Sequence, residues 1–436
     1  MPCREYREIR MRKFLIKKLC PLAAAGILLL TGCSGTGTVV NYEESEEEVT
    51  SITFFGNKYE PENVTVIEEI ISGFMKENPD IRVSYESLKG NDYYTALMKR
   101  MEAGQGDDVF MVNHDTVLEL REKGQLAELS GLSSIQEYTD QMYHQMEEGG
   151  NIYWVPTTVS AFGLYCNLDL LEKHRQEMPE TLGEWEAVCE YFTKQGMTPV
   201  IANNDISLKT LAIGKGFFST YQEGKQKEVM ERLNSGEDSL SDYLAEGFSI
   251  ADEFISRGYI DAEAAAGTKK TSDDLEEFIK GESPFMLTGA WAAGRVHSME
   301  HDFEFEVVPY PVLEDGSLLV INPDVRLSIN AESEHPKEAV KFLEYFTQEE
   351  NIRKFTDQQS SFSPMKGGTH SSVEEIQSLV PCYQADRTVI GTDSLLRLPI
   401  WDLTADASMS LLTGEDINTV MEHMDEAAEQ ERGAQK

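Results

Sequence analysis

Several polar and aromatic side chains follow directly after apolar runs that are typical of buried strands. Trp291 comes two residues after Gly289, at the end of one such run. The other candidates with this placement are Asn57, Lys58, Asn113, His114, Asp115 and Asn203. Ligands of α/β sheets bind outside the carboxyl ends of the strands, in loops that carry polar contacts. The pattern predicts a noncovalent ligand site built from an aromatic ring, amides, a carboxylate and cationic groups.

Each of these candidates also has a purely structural interpretation. Asp115 could cap the helix that follows it, which is a common use of Asp at that position. His114 suits a histidine at the surface or the edge of a core, and Asn203 suits a plain turn. Trp291 could pack beneath a helix in the core, as we expect for Trp185. The sequence alone leaves these alternatives open.

The motifs of common catalytic and metal centres are missing from the sequence. It contains no G-x-S-x-G nucleophile elbow, no H-E-x-x-H helix, no G-x-G-x-x-G loop and no C-x-x-C pair. We therefore predict no catalytic residue, no cofactor and no metal. Sequence cannot measure the ~5–9.5 Å carboxylate spacing of a glycosidase, so a secreted enzyme acting on glycans stays open as an alternative.

The chain is strongly acidic. Its 436 residues include 38 Lys and Arg against 77 Asp and Glu, a formal net charge of −39. Such a field repels nucleic acid and anionic lipid head groups, so we exclude nucleic acid as a partner. An acidic surface that keeps the protein soluble explains the charge, and a cationic ligand such as a polyamine is the alternative.

The first 32 residues have the features of an export signal. Basic residues precede an apolar run at 19–30, which is shorter than the ~20 residues of a transmembrane helix. The Leu-Thr-Gly-Cys sequence at 30–33 resembles a bacterial lipobox, which implies that fatty-acyl chains such as palmitate anchor the mature protein through Cys33. The true start, at Met1 or Met11, stays open. The acidic stretch 33–51 is expected to be a disordered tether.

Three cysteines remain beyond the lipobox, namely Cys166, Cys189 and Cys382. An odd number cannot all pair within one chain. Buried free thiols are the first interpretation, and one disulfide with one free thiol is the second.

Strand-like and helix-like segments alternate along the first part of the folded chain. The strand-like runs are 52–55, 81–85 and 108–112, and amphipathic segments at 64–77 and 93–104 lie between them. This alternation predicts an α/β fold with a parallel sheet.

Five motifs in a fixed order resemble family 1 extracellular solute-binding proteins, the maltose-binding-protein-like group. They are Gly-Asp-Asp-Val-Phe at 106–110, Tyr-Trp-Val-Pro at 153–156 leading to Leu-Tyr-Cys-Asn at 164–167, Pro-Glu-Thr at 179–181, Pro-Phe-Met at 284–286 with Gly-Ala-Trp at 289–291, and Val-Val-Pro at 307–309 leading to a helix after His-Pro at 335–336. Two positions depart from the family pattern: Cys166 replaces an aromatic residue, and Leu182 replaces a tryptophan.

The resemblance implies a two-lobed periplasmic-binding-protein type II fold, with two α/β lobes joined by three hinge crossings. After a signal peptide at 1–32 and a tether at 33–51, lobe 1 would hold 52–156 and 326–357. Lobe 2 would hold 160–322 and 362–436. The crossings would lie near 156–160, 322–326 and 357–363, and we expect hinge rotation there.

The resemblance also implies a ligand and partners. Trp291 would line the cleft, Trp401 would offer a second stacking ring, and Arg326 would lie in a crossing, as a ligand contact or in a buried ion pair. The expected function is capture of a mono- or oligosaccharide for the permease subunits of an ABC transporter, by a lipid-anchored monomer on the extracellular face of a Gram-positive cell membrane. A peptide or polyamine ligand is the alternative within the same class.

Overall fold

The structure is a computed structural model that describes residues 49–368 and 371–434. The predicted signal peptide, Cys33 and most of the predicted tether lie outside these residues. The first strand begins at Thr50, two residues before the predicted start of the fold, because Thr50 already pairs with Ile81 of the neighbouring strand. Among the described helices, none is long and apolar enough to cross a membrane.

Helices and strands alternate through most of the chain. The strands are β1 Thr50–Gly56, β2 Ile81–Ser87, β3 Val109–Val112, β4 Glu147–Glu148, β5 Asn151–Ile152, β6 Val155–Asn167, β7 Val200–Ile201, β8 Phe285–Gly289, β9 Phe305–Val308, β10 Tyr310–Leu313, β11 Gly316–Ile329 and β12 Thr388–Ile390. The helices are α1 Pro61–Glu77, α2 Gly90–Glu102, α3 His114–Glu122, α4 Asp140–Met146, α5 Leu168–His174, α6 Leu182–Lys194, α7 Ser207–Gln222, α8 Gln226–Ser235, α9 Ser241–Ser256, α10 Ala262–Gly267, α11 Asp273–Phe278, α12 Ala293–Ser298, α13 Pro336–Phe346, α14 Glu349–Gln358, α15 Val380–Gln384, α16 Ile400–Leu412 and α17 Ile417–Ala434.

Local sequence signals account for several of these boundaries. Thr181 caps α6 through a reciprocal capping box with Glu184, which satisfies backbone N–H groups that have no partner within the helix. Pro336 occupies the first turn of α13, where its missing N–H costs nothing. Gly124 follows α3 with a positive φ of 66°, a conformation that glycine adopts without strain.

The main sheet is mixed, which corrects the prediction of a parallel sheet. Strands β2, β1 and β3 are parallel as expected. The long central strands β6 and β11 run antiparallel to each other, and β11 is also antiparallel to β3. The strand order is β2-β1-β3-β11-β6-β8-β7, with β9 beside β6 and with β10 and β12 beside β11. The long strands β6 and β11 therefore lie at the centre of the sheet, between β2-β1-β3 on one side and β8-β7 on the other.

The three predicted crossings lie side by side. Val159 of β6 pairs with Pro323 of β11, and it also forms an isolated bridge to Phe362. Two residues of these crossings have positive φ angles, 43° at Val325 and 42° at Ser360. This left-handed region is unfavourable for a residue with a side chain, and most of all for a β-branched one. Local backbone strain is therefore present in two of the three crossings.

Two hydrophobic cores fill the molecule. One contains Phe54, Phe110 and Phe342, and the other contains Trp185 and Phe217. Trp185 is fully buried, which confirms its predicted core position. The thiols of Cys166, Cys189 and Cys382 are free and buried, as the first interpretation expected.

Candidate functional site

Trp291 and Trp401 both pack against one phenylalanine. Trp291 lies in the short turn that follows β8, and Trp401 lies at the start of α16. Their ring centroids are 5.1 Å and 5.4 Å from that of Phe162 on β6. Both tryptophans are half-buried. A Cβ atom at Gly289 would stand 2.2 Å from the Trp291 ring, so only glycine allows this ring to fold back against the strand.

Lys209 covers the ring of Trp401. Its ammonium nitrogen lies 4.2 Å from the ring centroid, donates to the Trp401 carbonyl at 3.3 Å, and pairs with Asp205 at 2.6 Å. Burial lowers the pKa of Lys209 to about 8, although Asp205 opposes this shift. Asp205 also pairs with Lys270, and burial of its carboxylate is outweighed by the two cations, so its pKa is lowered. The sequence did not lead us to predict Lys209 as a site residue. The signal that could have indicated it is its position four residues after Asp205, a spacing at which side chains of a helix form ion pairs.

Asn57 and Lys58 follow β1 and face the crossing strand. The Asn57 amide donates to the Tyr94 hydroxyl at 3.1 Å, and its Oδ1 is buried without a hydrogen-bond partner. Lys58 acts on Asp324, which accepts from the Ser160 hydroxyl at 2.6 Å. Burial raises the pKa of Asp324, but the charge of Lys58 and the bond from Ser160 outweigh it and the pKa is lowered. These two predicted residues therefore border the second crossing.

Three adjacent residues at the start of α3, Asn113, His114 and Asp115, have different roles. Asn113, not Asp115, caps the helix, because its side chain accepts from the Thr116 backbone N–H at 2.9 Å. The Asp115 carboxylate therefore takes no part in the helix cap. Burial, reinforced by the negative charge of Asp402, raises its pKa to about 6. His114 is buried at 7% exposure, and burial together with the charge of Arg326 lowers its pKa to about 3.

Arg326 packs in the second crossing without an ion pair at contact distance among the described residues. Its guanidinium lies 4.3 Å from the Trp154 ring centroid and donates to the Thr392 hydroxyl at 3.2 Å. Burial lowers its pKa to about 10, and the charge of Asp324 opposes that shift. Its side chain thus ties β11 to the segment before α16.

Asn203 is buried and holds a turn, which is the structural interpretation that the sequence left open. It is 1% exposed, and its amide donates to Asp274 at 3.0 Å. Its Oδ1 accepts from the backbone N–H groups of Asp205 and Ile206. Its side chain therefore shapes the turn that carries Asp205, while its predicted contact with a ligand stays a prediction.

One ion pair joins the two predicted lobes beside Trp291. Arg295 of α12 pairs with Glu60, the residue that precedes α1, at 3.0 Å. Because α12 directly follows the turn that carries Trp291, Arg295 lies four residues after the tryptophan in sequence.

A cavity with a volume of about 1100 Å³ lies against another set of residues. His114 and Arg326 line it, but Trp291, Trp401, Asn57, Lys58 and Asp115 do not. The predicted site residues therefore divide between a tryptophan-lined region and this cavity. Among the described residues, no group of three or more His, Cys, Asp or Glu side chains could hold a metal ion.

Comparison with known proteins identifies the class. The profile of the bacterial extracellular solute-binding protein family matches residues 69–375, so the chain belongs to this family. A multiple sugar-binding protein from Streptococcus mutans is 23% identical over 85% of this chain and 88% of its own length.

Solved structures share the fold. RafE of Streptococcus pneumoniae, solved in complex with raffinose, superposes with a TM-score of 0.70 at 22% identity over 88% of this chain and 100% of its own. A substrate-binding protein from Listeria monocytogenes in complex with cycloalternan gives 0.67 at 18% identity over 88% and 99%. The predicted family and two-lobed α/β fold are thus confirmed.

Proposed function

We propose that this protein captures a neutral oligosaccharide between two lobes and delivers it unaltered to the permease subunits of an ABC importer. The observation that carries the proposal is the pair of half-buried tryptophans around Phe162, with hydrogen-bonding and charged side chains nearby. Indole faces pack against the apolar C–H faces of sugar rings, and carboxylates, amides and ammonium groups bind their hydroxyls.

Three polar side chains among the candidates suit hydroxyl recognition. Lys209 provides a donor above Trp401, Asp115 provides a carboxylate, and Asn57 has a buried oxygen without a partner. Names of relatives point the same way: one is a multiple sugar-binding protein, and one neighbour was solved with raffinose. A polyamine or a cationic peptide fits this set of residues less well, because the positive charges of Lys209 and Lys58 would repel such a ligand.

The lobes would rotate about the three adjacent crossings. Lobe 1 would comprise 52–156 and 326–357, and lobe 2 would comprise 160–322 and 362–436. Support comes from the positive φ angles at Val325 and Ser360, since strained residues recur where a chain switches between conformations. The Glu60–Arg295 pair would hold the lobes together at the edge of the tryptophan-lined region.

The lipobox-like sequence around Cys33 supports attachment to the extracellular face of a cytoplasmic membrane. We propose further that the host is a Gram-positive bacterium and that the protein acts as a monomer. Cleavage before Cys33 would leave a tether of about 17 residues ahead of β1.

Binding to sugars tests the proposal directly. Protein lacking residues 1–33 is screened by thermal shift against neutral mono- and oligosaccharides, and hits are titrated by calorimetry. A saturating ligand raises the melting temperature by mass action. If the ligand is recovered chemically intact after prolonged incubation, the protein is a carrier; new reducing ends would establish a glycosidase instead. Absence of binding to every sugar, together with binding of peptides or polyamines, would overturn the ligand class.

A further inference from the structure

The Glu60 carboxylate joins two parts of the molecule. Glu60 is the residue before α1, but its side chain makes no cap hydrogen bond to that helix. One of its oxygens pairs with Arg295 of α12 at 3.0 Å, and the other accepts from the side-chain amide of Asn63 at 2.8 Å. The same carboxylate therefore contacts predicted lobe 2 and a buried residue of α1.

Asn63 extends this contact to the third crossing. Its Oδ1 accepts from the side-chain amide of Gln359 at 2.6 Å, and both residues are buried. An ionised carboxylate only accepts hydrogen bonds. The NH2 group of Asn63 therefore faces Glu60 and its oxygen faces Gln359, which must present its own NH2 group in return. The orientation of both buried amides thus follows from the charge on Glu60.

The end of α14 contains the strained residue of the third crossing. The Ser360 N–H donates to the Asp357 carbonyl at 3.2 Å, and the Ser361 N–H donates to the Thr356 carbonyl at 3.1 Å. These two bonds form a Schellman motif, in which the residue with a positive φ is usually glycine. Here that residue is Ser360, with a φ of 42°. The residue type disfavours this helix end, and the bond from the preceding Gln359 side chain to α1 supports it.

Helix α12 approaches the third crossing at a second point. A Cβ atom at Gly294 would lie 3.4 Å from the Ser360 hydroxyl oxygen, and Gly294 directly precedes Arg295. Arg295 also donates to the Thr271 carbonyl at 3.2 Å, within predicted lobe 2. A displacement of α12 would therefore act on the Glu60 carboxylate and on Ser360 together.

We propose that Glu60, Asn63 and Gln359 form a relay that couples the contact between the lobes to the backbone of the third crossing. The relay rests on the lobe rotation of the proposed function. When the lobes separate, loss of the Arg295 ion pair frees the Glu60 carboxylate, and the two amides lose their fixed orientation. Ser360 then loses the side-chain support of its left-handed conformation. The end of α14 is thus the two-state element that the relay biases, so that the lobes separate and the hinge is released in one step.

Hydrogen exchange in the unliganded protein, followed by mass spectrometry, tests the relay. The backbone N–H groups of Ser360, Ser361 and Phe362 are hydrogen-bonded, so their exchange reports opening of the crossing. Arg295→Met removes the ion pair with Glu60 and leaves the crossing itself unchanged. Exchange at the three positions is expected to become about twofold to fivefold faster, the factor that corresponds to the free energy of one exposed ion pair.

The same substitution is then made in two backgrounds that interrupt the relay, Asn63→Ala and Gln359→Met. In each background, Arg295→Met should add no further acceleration, because the path from α12 to the crossing is already broken. The two backgrounds are independent, so either one is sufficient if the other does not fold. Equal acceleration with and without the relay, or no acceleration by Arg295→Met alone, would overturn the proposal.

Glu375→Gln is the matched control, because Glu375 pairs with His297 of the same α12 and is not part of the relay. Exchange in the crossing should be unchanged in this variant. The amides of α6, in the other hydrophobic core, report opening of the whole molecule, and an equal acceleration there would also overturn the relay. No sugar enters this experiment, so a failure of sugar binding is told apart from a failure of the relay, and scattering measures lobe closure separately.

Discussion

At the scale of the single residue, Trp291 offers the sharpest test of the proposed sugar site. Trp291→Ala should weaken binding of the best saccharide by about 2 kcal/mol, or roughly 30-fold, because it removes a stacking ring at the centre of the contact. Calorimetric titration measures the change. The fold should survive, since the ring is only half-buried.

Trp185 provides the matched control, because it is a fully buried core tryptophan. Trp185→Phe should lower the free energy of unfolding and leave the dissociation constant of the folded protein unchanged. If Trp291→Ala instead destabilised the protein by ~3–5 kcal/mol, the Trp291 ring would belong to the core.

Asp115 should make stability depend on pH. Its pKa is raised from 3.8 to about 6 by burial and by Asp402, so the folded state holds this proton more tightly than the unfolded state does. The stabilisation is therefore present below about pH 4 and is lost as pH rises through about 6. The full shift corresponds to about 3 kcal/mol, and partial exposure reduces it to ~1–2 kcal/mol.

The variant Asp115→Asn should consequently gain about 1–2 kcal/mol over wild type at pH 7 and nothing at pH 4, as measured by urea denaturation across this range. Asp402→Asn should reproduce part of the gain, because it removes the like charge while Asp115 remains. A stability difference that does not vary with pH would contradict the raised pKa of Asp115.

At the scale of the element, the third crossing contains a strained residue that can be relieved. Ser360 has a φ of 42°, a region that glycine occupies freely and other residues do not. Ser360→Gly should therefore stabilise the protein by up to about 1 kcal/mol, measured by thermal denaturation.

Ser361 is the natural control, because it is the next residue in the same crossing and its φ is not positive. Ser361→Gly should destabilise the protein by about 0.5–1 kcal/mol through the added freedom of the unfolded chain. Equal effects of the two substitutions would show that backbone strain at Ser360 does not affect stability.

At the scale of the whole molecule, ligand binding should draw the lobes together. Small-angle scattering with a saturating sugar is expected to give a smaller radius of gyration than the unliganded protein, since closure buries the ligand between the lobes. A tight ligand that leaves the radius unchanged would argue for a rigid site.

In the same scattering experiment, Glu60→Gln should increase the radius of gyration of the unliganded protein, because it breaks the Glu60–Arg295 ion pair between the predicted lobes. The effect is limited to ~0.2–1 kcal/mol and should shrink at high salt. Glu375→Gln is the matched control, since its pair with His297 lies within predicted lobe 2.

Membrane attachment is also a property of the whole molecule. Cys33→Ala in the full-length protein should move it from the membrane fraction to the soluble fraction, because two acyl chains are the number that gives stable anchoring. Immunoblotting of the fractions measures the change. Retention of the variant in the membrane fraction would contradict the lipobox interpretation.

Short-range sequence patterns were sufficient to predict several helices and where they begin. The capping box at Thr181, the proline start of α13 and the buried face of the helix with Trp185 depend on neighbours within a turn or two, so the sequence alone determined them. The order of motifs also determined the family and the fold class. Local pattern did not decide which of two nearby residues, Asn113 or Asp115, caps α3.

The tertiary structure alone decided how the site is assembled. Lys209 covers the ring of Trp401, which is 192 residues away in sequence. Phe162 contacts two tryptophans from different parts of the chain. The walls of the cavity come from segments between residues 114 and 397. Such contacts leave no periodic signal in the sequence, because they depend on the antiparallel crossing of β6 and β11 and not on neighbours along the chain. Burial within that arrangement, in turn, sets the pKa shifts of Asp115, His114 and Lys209.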